Sequence, residues 1–286
     1  MIKAEVVLDS VSEAGVRLTT MALEYPRMVH AEFMTHRMFS KNASSSRAIP
    51  IMKMIEKIEK EPAQPVYWGK NQKGMQANEE LGPEEKEKAL GLWFAGAQKA
   101  IEIAKDLASL GVHKQIANRV LEPYSFITVL VTGTKEAYSN FFTLRRHKDA
   151  QPEIKALADK MYLAYKSSKP KKLEAGFWHL PYVTEEDLKS VELLDYYQST
   201  DILCKISTAR CARVSYLTHD NKKPDIGQDM DLYAKLVGSV PLHASPAEHV
   251  AQSVVSKSYQ SGNFNGWLQY RKTLSEEYAI DYFDKE

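Results

Sequence analysis

The chain has 286 residues, of which 44% are hydrophobic, and its formal net charge is +1. This length allows one large hydrophobic core or two modest ones. A near-neutral charge gives no global field that would attract nucleic acid, so no nucleic-acid partner is expected. The N-terminus lacks the apolar segment of a signal peptide, and no apolar run is long enough to span a bilayer. We therefore expect a soluble cytoplasmic protein without a membrane partner.

Short apolar runs rich in β-branched residues predict strands at residues 4–8, 16–21 and 126–132, with a strand-like run at 250–255. A turn is expected at Gly133-Thr134. Helical spacing of apolar residues predicts helices at 51–58, 84–110, 113–121, 137–144, 152–165 and 227–237, and further helices within 191–216. Residues 61–81 contain prolines and glycines and are typical of a binding loop or lid. The lysine-rich residues 167–172 are expected to form a solvated loop.

Residues 32–47 combine a helix-like start with a polar end. The pattern predicts a helix that begins near Pro26 and carries His36 and Arg37. A run of hydroxyl side chains follows and is closed by Arg47. Hydroxyls and backbone N–H groups beside arginines suit a phosphate or another oxyanion. The alternative is a helix end followed by an ordinary polar loop.

Several kinds of chemistry are excluded or disfavoured by the motifs. The sequence has neither a Walker-type phosphate loop nor the glycine motif of dinucleotide-binding folds, so a nucleotide must be held by other groups. Cys204 and Cys211 match no metal spacing and fit a reducing compartment. His243 and His249 flank Glu248, but not in the order or spacing of a zinc-protease helix. No metal site is predicted, and capping or core hydrogen bonding is the commoner role for such histidines.

Four polar clusters remain, and together they suit a large anionic and aromatic ligand set such as a flavin plus a nucleotide. They are His36/Arg37 with Ser45/Arg47, Asn118/Arg119, Asn140/Arg145, and His243/Ser245/Glu248.

In order and spacing, three blocks resemble the flavin-dependent thymidylate synthases. Their signature is Arg-His-Arg, seven residues, Ser, and Arg two residues later; here Thr35-His36-Arg37 is followed by Ser45 and Arg47. The second block is Arg119-Val-Leu-Glu-Pro123, which is similar to the family's Arg-x-x-x-Pro. The third runs from Thr132 through Asn140 to Arg145 and the Ala150-Gln-Pro-Glu-Ile154 tail.

A fourth block is displaced relative to the family. Ala212-Arg213-Val-Ser-Tyr216 and the run from His243 to His249 resemble elements that precede the Arg-His-Arg segment in the family. We interpret the chain as one domain, 1–286, in which residues 200–271 resemble the family's N-terminal third moved to the C-terminus. A partial duplication is the alternative, because residues 268–271 also echo the Arg-His-Arg helix. Circular permutation is tolerated where termini lie close together at the surface.

The resemblance implies a fold, a reaction and roles for individual residues. The fold would be α+β, with a mostly antiparallel central sheet flanked by long helices, as in the thymidylate synthase complementing protein. FAD, reduced by NADPH, would pass a one-carbon unit from methylene-tetrahydrofolate to C5 of dUMP in a homotetramer. By position, the FAD contacts would be His36, Arg37, Asn140, His243, Ser245 and Glu248. Ser45, Arg47 and Arg119, here called the phosphate clamp, would hold the nucleotide phosphate, and Arg145 would face the pyrimidine as the catalytic residue.

The chain also departs from the family pattern. Thr35 replaces the first arginine of Arg-His-Arg, Ala43 replaces an acidic residue, and Glu32 stands where glutamine is usual. Thr134 and Glu136 replace an asparagine and an arginine that often contact FAD. These changes leave two alternatives open: the same scaffold acting on dCMP or making a hydroxymethyl product, and a non-catalytic flavin- or nucleotide-binding protein.

Overall fold

The computed structural model describes residues 1–216, 225–239 and 242–275. Its strands are β1 (Lys3–Val11), β2 (Arg17–Pro26), β3 (Ser40–Ala43), β4 (Phe126–Thr134), β5 (Lys171–Lys172), β6 (Trp178–His179), β7 (Ala251–Ser253), β8 (Gln260–Ser261), β9 (Phe264–Asn265) and β10 (Trp267–Gln269). Its α-helices are α1 (His30–Met34), α2 (Ile51–Lys60), α3 (Pro83–Ser109), α4 (Lys114–Ala117), α5 (Lys135–Arg145), α6 (Pro152–Ser167), α7 (Glu185–Ser190), α8 (Tyr196–Tyr216) and α9 (Ile226–Val237). Short 3-10 helices span Arg27–Val29, Asn118–Tyr124, Ser245–His249 and Tyr270–Thr273.

The central sheet has five strands in the order β3-β4-β2-β1-β5. All its pairs are antiparallel except β1 with β5, which run parallel at Ser10–Lys171 and Val11–Lys172. β10, β7 and β6 form a second sheet, and β8 and β9 form a two-stranded ribbon. The prediction of an α+β fold with a mostly antiparallel central sheet and long flanking helices is confirmed.

The main core lies between the central sheet and helices α5 and α6. Successive side chains of a strand point to opposite faces, so alternate residues of β2 and β4 face these helices. Their partners are aromatic side chains of the α1 region and of α5. The buried members include Met21, Leu23, Val129, Val131, Phe33, Phe39, Tyr138, Phe141, Leu157 and Met161. This core fixes the position of the segment that joins α1 to β3.

A second core joins α2 and α3 to the 3-10 helix around Leu121. Residues 61–81 are irregular, as predicted, with a single isolated bridge between Gly69 and Glu80. This loop is attached to helices at both sides: Trp93 Nε1 donates to Ala63 O at 2.9 Å, and Val66 N donates to a carboxylate oxygen of Glu153 at 2.8 Å.

Helices α8 and α9 pack together through buried ion pairs. Arg210 donates to both carboxylate oxygens of Asp187, at 2.5 and 2.8 Å, and to Asp229 at 2.7 Å. Arg213 of the displaced block also donates to Asp229, at 2.8 Å. Two guanidinium groups therefore face two buried carboxylates, which is the arrangement that buried charges require.

Several element predictions differ from the structure. The helix predicted to carry His36 and Arg37 is wrong at its end, because α1 stops at Met34 and both residues lie in the turn that follows. The predicted polar loop contains strand β3. The helix predicted at 113–121 is a single α-turn followed by a 3-10 helix that includes Pro123. Residues 167–172 are not wholly a loop, since β5 pairs with β1.

Gly133 lies inside β4, so the turn predicted there is wrong. A Cβ atom at Gly133 would lie 2.5 Å from the Phe39 ring and 3.0 Å from the Ala137 Cβ. We expect Gly133→Ala to lower the free energy of unfolding by about 1–3 kcal/mol through overpacking. Gly91→Ala is the matched control, because a Cβ there meets no atom within 4 Å and should stabilise α3 by up to about 1 kcal/mol. Urea unfolding of both variants tests this; equal stabilities would contradict the close packing.

A buried chain of hydrogen bonds crosses the central sheet. It runs from Ser10 to His179 (2.8 Å), to Thr20 (2.8 Å), to Thr132 (2.7 Å) and to His249 Nδ1 (2.8 Å). All five side chains are buried, and His249 Nε2 has no hydrogen-bond partner. This chain ties β6 and the 3-10 helix at Ser245–His249 to the central strands.

Within residues 1–216, 225–239 and 242–275, no helix is both long and apolar enough to cross a membrane. Over the same ranges, there is no group of three or more His, Cys, Asp or Glu side chains that could hold a metal ion. Cys204 and Cys211 are buried and free, and burial raises the pKa of both thiols. Pro241, which opens the predicted histidine block, lies outside the described residues, and the side chain of Tyr216 is not described either.

Candidate active site

His36 and Arg145 meet although they lie 109 positions apart in the sequence. His36 is buried in the turn after α1, with its ring packed edge-on against Phe141 at 4.8 Å between centroids. Arg145, in the last turn of α5, donates from Nε to His36 Nε2 at 2.7 Å. The Arg145 contact makes His36 Nε2 an acceptor and places the ring proton on Nδ1.

His36 is held neutral at physiological pH. Burial, with the positive charges of Arg145 and Lys41, lowers its pKa to about 4. A neutral imidazole can accept from a guanidinium, whereas an imidazolium would repel it. His36 therefore fixes the direction of Arg145 and leaves the terminal nitrogens of the guanidinium for a ligand.

Lys41 adds a cation at the same turn. Its ammonium donates to Met34 O at 3.1 Å and to His36 O at 2.7 Å, so it holds the backbone on both sides of Thr35. Burial lowers the pKa of Lys41, while the nearby Glu248 carboxylate opposes that shift. Since an ammonium has three N–H donors, one donor is not used by these two carbonyls. The sequence predictions did not include Lys41 because no motif position demanded a lysine there.

The C-terminal segment packs against this turn. Gln269 Nε2 donates to Ser40 Oγ and to Glu248 O, both at 3.2 Å, and Asn263 Nδ2 donates to Met38 O at 3.2 Å. The structure thus brings the Glu248 block next to the segment that holds His36 and Lys41.

Glu248 itself is paired with Arg271 through a charge-assisted hydrogen bond. The Nε of Arg271 is buried and has no partner. Arg271 was not predicted as a site residue, and its contact with Glu248 is the signal that identifies it. The side chains of Arg37, Asn140, His243 and Ser245 are exposed, so their donors are open to a ligand. Within the described residues, none of these four side chains is hydrogen-bonded to His36 or Arg145.

The phosphate clamp starts directly after β3. Ser45 is half-buried and Arg47 is exposed. Asn118 shapes this loop, because its buried amide donates to Ser46 O at 2.8 Å and to Ile49 O at 2.9 Å. β3 is four residues long, so about 13 Å of strand separate the loop from the His36 turn.

Two residues near the clamp, Glu122 and Arg27, were not predicted as site residues. Arg119 donates to Glu122 at 3.1 and 3.3 Å, and Ser46 Oγ donates to the same carboxylate at 2.6 Å. Arg27 lies in the 3-10 helix directly after β2; its Nη1 is 4.0 Å from Glu122 Oε1, and its Nη2 donates to Ser44 O at 3.4 Å. No sequence signal marks Arg27, since it reaches the site only through the pairing of β2 with β4.

The donor set fits an anionic flavin nucleotide. The exposed Arg37 and the half-buried Lys41 and Arg145 supply cations, which pair well with a pyrophosphate or an electron-rich ring edge. The orphaned Nε of Arg271 and the Nδ1 proton of His36 supply directional donors. These side chains are of a kind that can bind and orient an anionic cofactor.

A family model described as "Thymidylate synthase complementing protein" matches residues 15–171, which is more than half of the chain. The match includes His36, Arg37, Ser45, Arg47, Arg119, Asn140 and Arg145, and it ends before His243, Ser245 and Glu248. A comparison with curated protein sequences finds no match.

Two solved structures are similar to this chain. One is a UMP/dUMP methylase PolB from Streptomyces cacaoi bound with 5-Br UMP, at 18% identity and TM-score 0.48, with 58% of this chain and 89% of that chain covered. The other is the same methylase bound with 5-Br dUMP, at 17% identity and TM-score 0.45, with coverages of 58% and 90%.

Proposed function

The chain belongs to the thymidylate synthase complementing protein family, and we propose on this basis that it methylates a pyrimidine deoxynucleotide at C5. The reaction would convert dUMP to dTMP, with methylene-tetrahydrofolate as one-carbon donor, FAD as cofactor and NADPH as reductant. The observation that carries the proposal is the pairing of Arg145 with a neutral His36 inside the family-matched residues.

Arg145 is the catalytic residue of this proposal. Its guanidinium, oriented by His36, would face the pyrimidine and stabilise negative charge that develops on the ring carbonyls. The charge on Arg145 is permanent, and His36 does not compete for a proton because burial lowers its pKa to about 4. The pair is therefore organised before the substrate enters.

The remaining polar side chains would hold the cofactor and the phosphate. His36 Nδ1–H, Arg37, Asn140, His243, Ser245 and Glu248 would contact FAD, with Lys41 as an added cation. Bound FAD would supply one-carbon transfer and hydride, chemistry that no side chain of the protein provides. The phosphate clamp would hold the nucleotide about one strand length from the His36 turn.

The direct test is an assay of the purified protein. We expect a yellow protein, or one that turns yellow with added FAD, that forms dTMP from dUMP, methylene-tetrahydrofolate and NADPH. A colourless protein that stays inactive with added FAD would contradict the proposal.

A second candidate keeps the scaffold and changes the substrate or product. It is favoured by Ala43, which lies half-buried in β3 opposite Val129 and offers no carboxylate where the family has an acid. Thr35 and Glu32 are further changes beside the His36 turn. Parallel reactions with dUMP and dCMP, with products identified by mass, distinguish the candidates. Formation of dTMP from dUMP alone would rule this one out.

Substitutions in the phosphate clamp should weaken nucleotide binding. We expect Arg47→Ala to raise the Kd for dUMP about tenfold or more, because a charged hydrogen bond is lost, and Ser45→Ala to raise it about fivefold. Isothermal titration calorimetry measures both values. Arg146→Ala and Ser109→Ala are matched controls, since both residues are exposed and bond locally to Asp159 and to Asp106 O. Unchanged affinity in both clamp variants would show that the phosphate lies elsewhere.

The permuted arrangement and the homotetramer are parts of the same proposal. Contacts of Gln269, Asn263 and Glu248 with the His36 turn support a shared site for the two segments. Light scattering of the purified protein tests the tetramer, and a mass near one chain would contradict it.

A further inference from the structure

One carboxylate is surrounded by the groups that an oxyanion ligand would need. Glu122 accepts hydrogen bonds from Arg119 and Ser46, and a second cation, Arg27 Nη1, lies 4.0 Å from the same carboxylate. We call these four residues the Glu122 cluster. Carboxylate and phosphate oxygens use the same guanidinium and hydroxyl donors. In the Glu122 cluster, the donors that suit a phosphate are therefore already bonded to the Glu122 carboxylate.

The charges of the cluster are not balanced. The guanidinium groups of Arg27 and Arg119 face the one Glu122 carboxylate. Arg47, in the neighbouring loop, adds a third guanidinium group. The side chain of Arg27 is only 14% exposed, and its Nε is buried without a partner. Burial lowers the pKa of Arg27, and Arg119 lowers it further, while Glu122 opposes the shift. Arg27 is therefore a cation with spare hydrogen-bonding capacity, directed at the clamp loop through its contact with Ser44 O.

We propose that Glu122 is an internal anion that occupies the phosphate-binding donors in the free protein, and that a phosphate monoester displaces it and recruits Arg27 as an additional ligand. The proposal rests on the proposed function, because it assigns the nucleotide phosphate to this loop. It adds Arg27 to the binding residues and gives Glu122 a role that opposes binding.

The local structure allows this exchange. The backbone of Glu122 is fixed in a 3-10 helix and followed by Pro123, but its side chain is 21% exposed and borders water. Arg119, at 58% exposure, can also turn outward. A buried cation without a counter-charge is unfavourable, so the carboxylate satisfies Arg27 and Arg119 while no ligand is bound. An incoming dianion supplies the same charge and more acceptor oxygens, and Glu122 can then rotate into solvent.

The test is phosphate binding by Glu122→Gln. Glutamine keeps an acceptor for Ser46 and removes the charge. We expect the Kd for inorganic phosphate and for dUMP to fall about tenfold, since the like charge beside the ligand is gone, while the affinity for deoxyuridine stays unchanged. Glu102→Gln is the matched control, because Glu102 forms an exposed pair with Lys99 on α3. Unchanged or weaker phosphate binding by Glu122→Gln would overturn the proposal.

A second variant tests Arg27 independently. Arg27→Gln should raise the Kd for inorganic phosphate about tenfold, as expected for the loss of a charged hydrogen bond; an unchanged Kd would overturn its assignment as a ligand. These binding outcomes are separate from the proposed activity. A wild-type protein that methylates dUMP, with no gain of phosphate affinity in Glu122→Gln, would leave the function standing and refute the internal anion. If Glu122→Gln binds phosphate more tightly but the wild-type protein does not methylate dUMP, the internal anion stands and the proposed function is refuted.

Discussion

Replacing Arg145 with alanine is expected to lower kcat for pyrimidine methylation about 10²–10³-fold, the range seen when a group that stabilises a developing anion is removed. The fold should remain intact, because Arg145 is half-buried at the end of α5 and, within the described part of the chain, its side chain is hydrogen-bonded to His36. Circular dichroism and urea unfolding check the fold, and steady-state assays measure kcat and KM.

Arg146→Ala is the matched control for this prediction. Arg146 is the next residue, but it pairs with Asp159 at 2.8 Å and stacks on the Tyr162 ring at 3.7 Å. It should affect stability by less than about 1 kcal/mol and leave kcat within about twofold of wild type, because it faces away from His36. Equal losses of kcat in both variants would show that the effect comes from the helix end and not from the His36–Arg145 pair.

Acidification from pH 7 to pH 5 is expected to destabilise the protein by about 4 kcal/mol through His179 and His249. His36, whose pKa burial lowers to about 4, adds to this loss. Burial lowers the pKa values of His179 and His249 to about 3, against an ordinary value of 6.5. Between these values the unfolded chain binds a proton at each histidine and the folded chain does not. Stability is therefore fully present above pH 6.5 and falls as the pH drops, by about 1.4 kcal/mol per pH unit for each histidine.

Urea unfolding at pH 5, 6 and 7 measures this slope. His249→Gln removes one of the buried histidines that titrate, so its slope should be about 1.4 kcal/mol per pH unit smaller than that of the wild type. Ser109→Ala is the control, because Ser109 is exposed and its hydroxyl does not titrate between pH 5 and pH 7; its slope should match the wild type. A free energy of unfolding that is the same at pH 5 and pH 7 would contradict the neutral buried state of both histidines.

The elements with strong local signals were predictable from the sequence. β1, β2 and β4 carry apolar β-branched runs, and α3 and α6 start with proline and show helical spacing over many residues. β3 was not predictable, since Ser40-Lys-Asn-Ala43 has little intrinsic strand preference. It becomes a strand because β4 offers it an edge. α1 ends early for a related reason: the chain must turn at His36 to reach that edge.

Some residues of the candidate site were likewise predictable from the sequence, and others were not. His36, Ser45, Arg47, Arg119 and Arg145 were found because their spacing matches a family pattern. Lys41, Arg271, Arg27 and Glu122 acquire their significance only through contacts between distant segments. Their identities as single residues carry no signal, so a sequence without an alignment cannot separate them from ordinary surface charges.

The position of β3 at the end of the central sheet has a consequence for solubility. An edge strand presents unpaired backbone groups that can recruit another chain. Here side chains of β3 itself bond to remote segments: Asn42 Nδ2 donates to Cys211 O, 169 positions away, and Ser40 Oγ donates to Asn263 Oδ1. Two parts of the chain, α8 and the turn at Asn263, therefore lie against this edge strand and hinder its pairing with another chain. The C-terminal residues that bring Glu248 to the candidate site thus also help to cover the edge of the sheet.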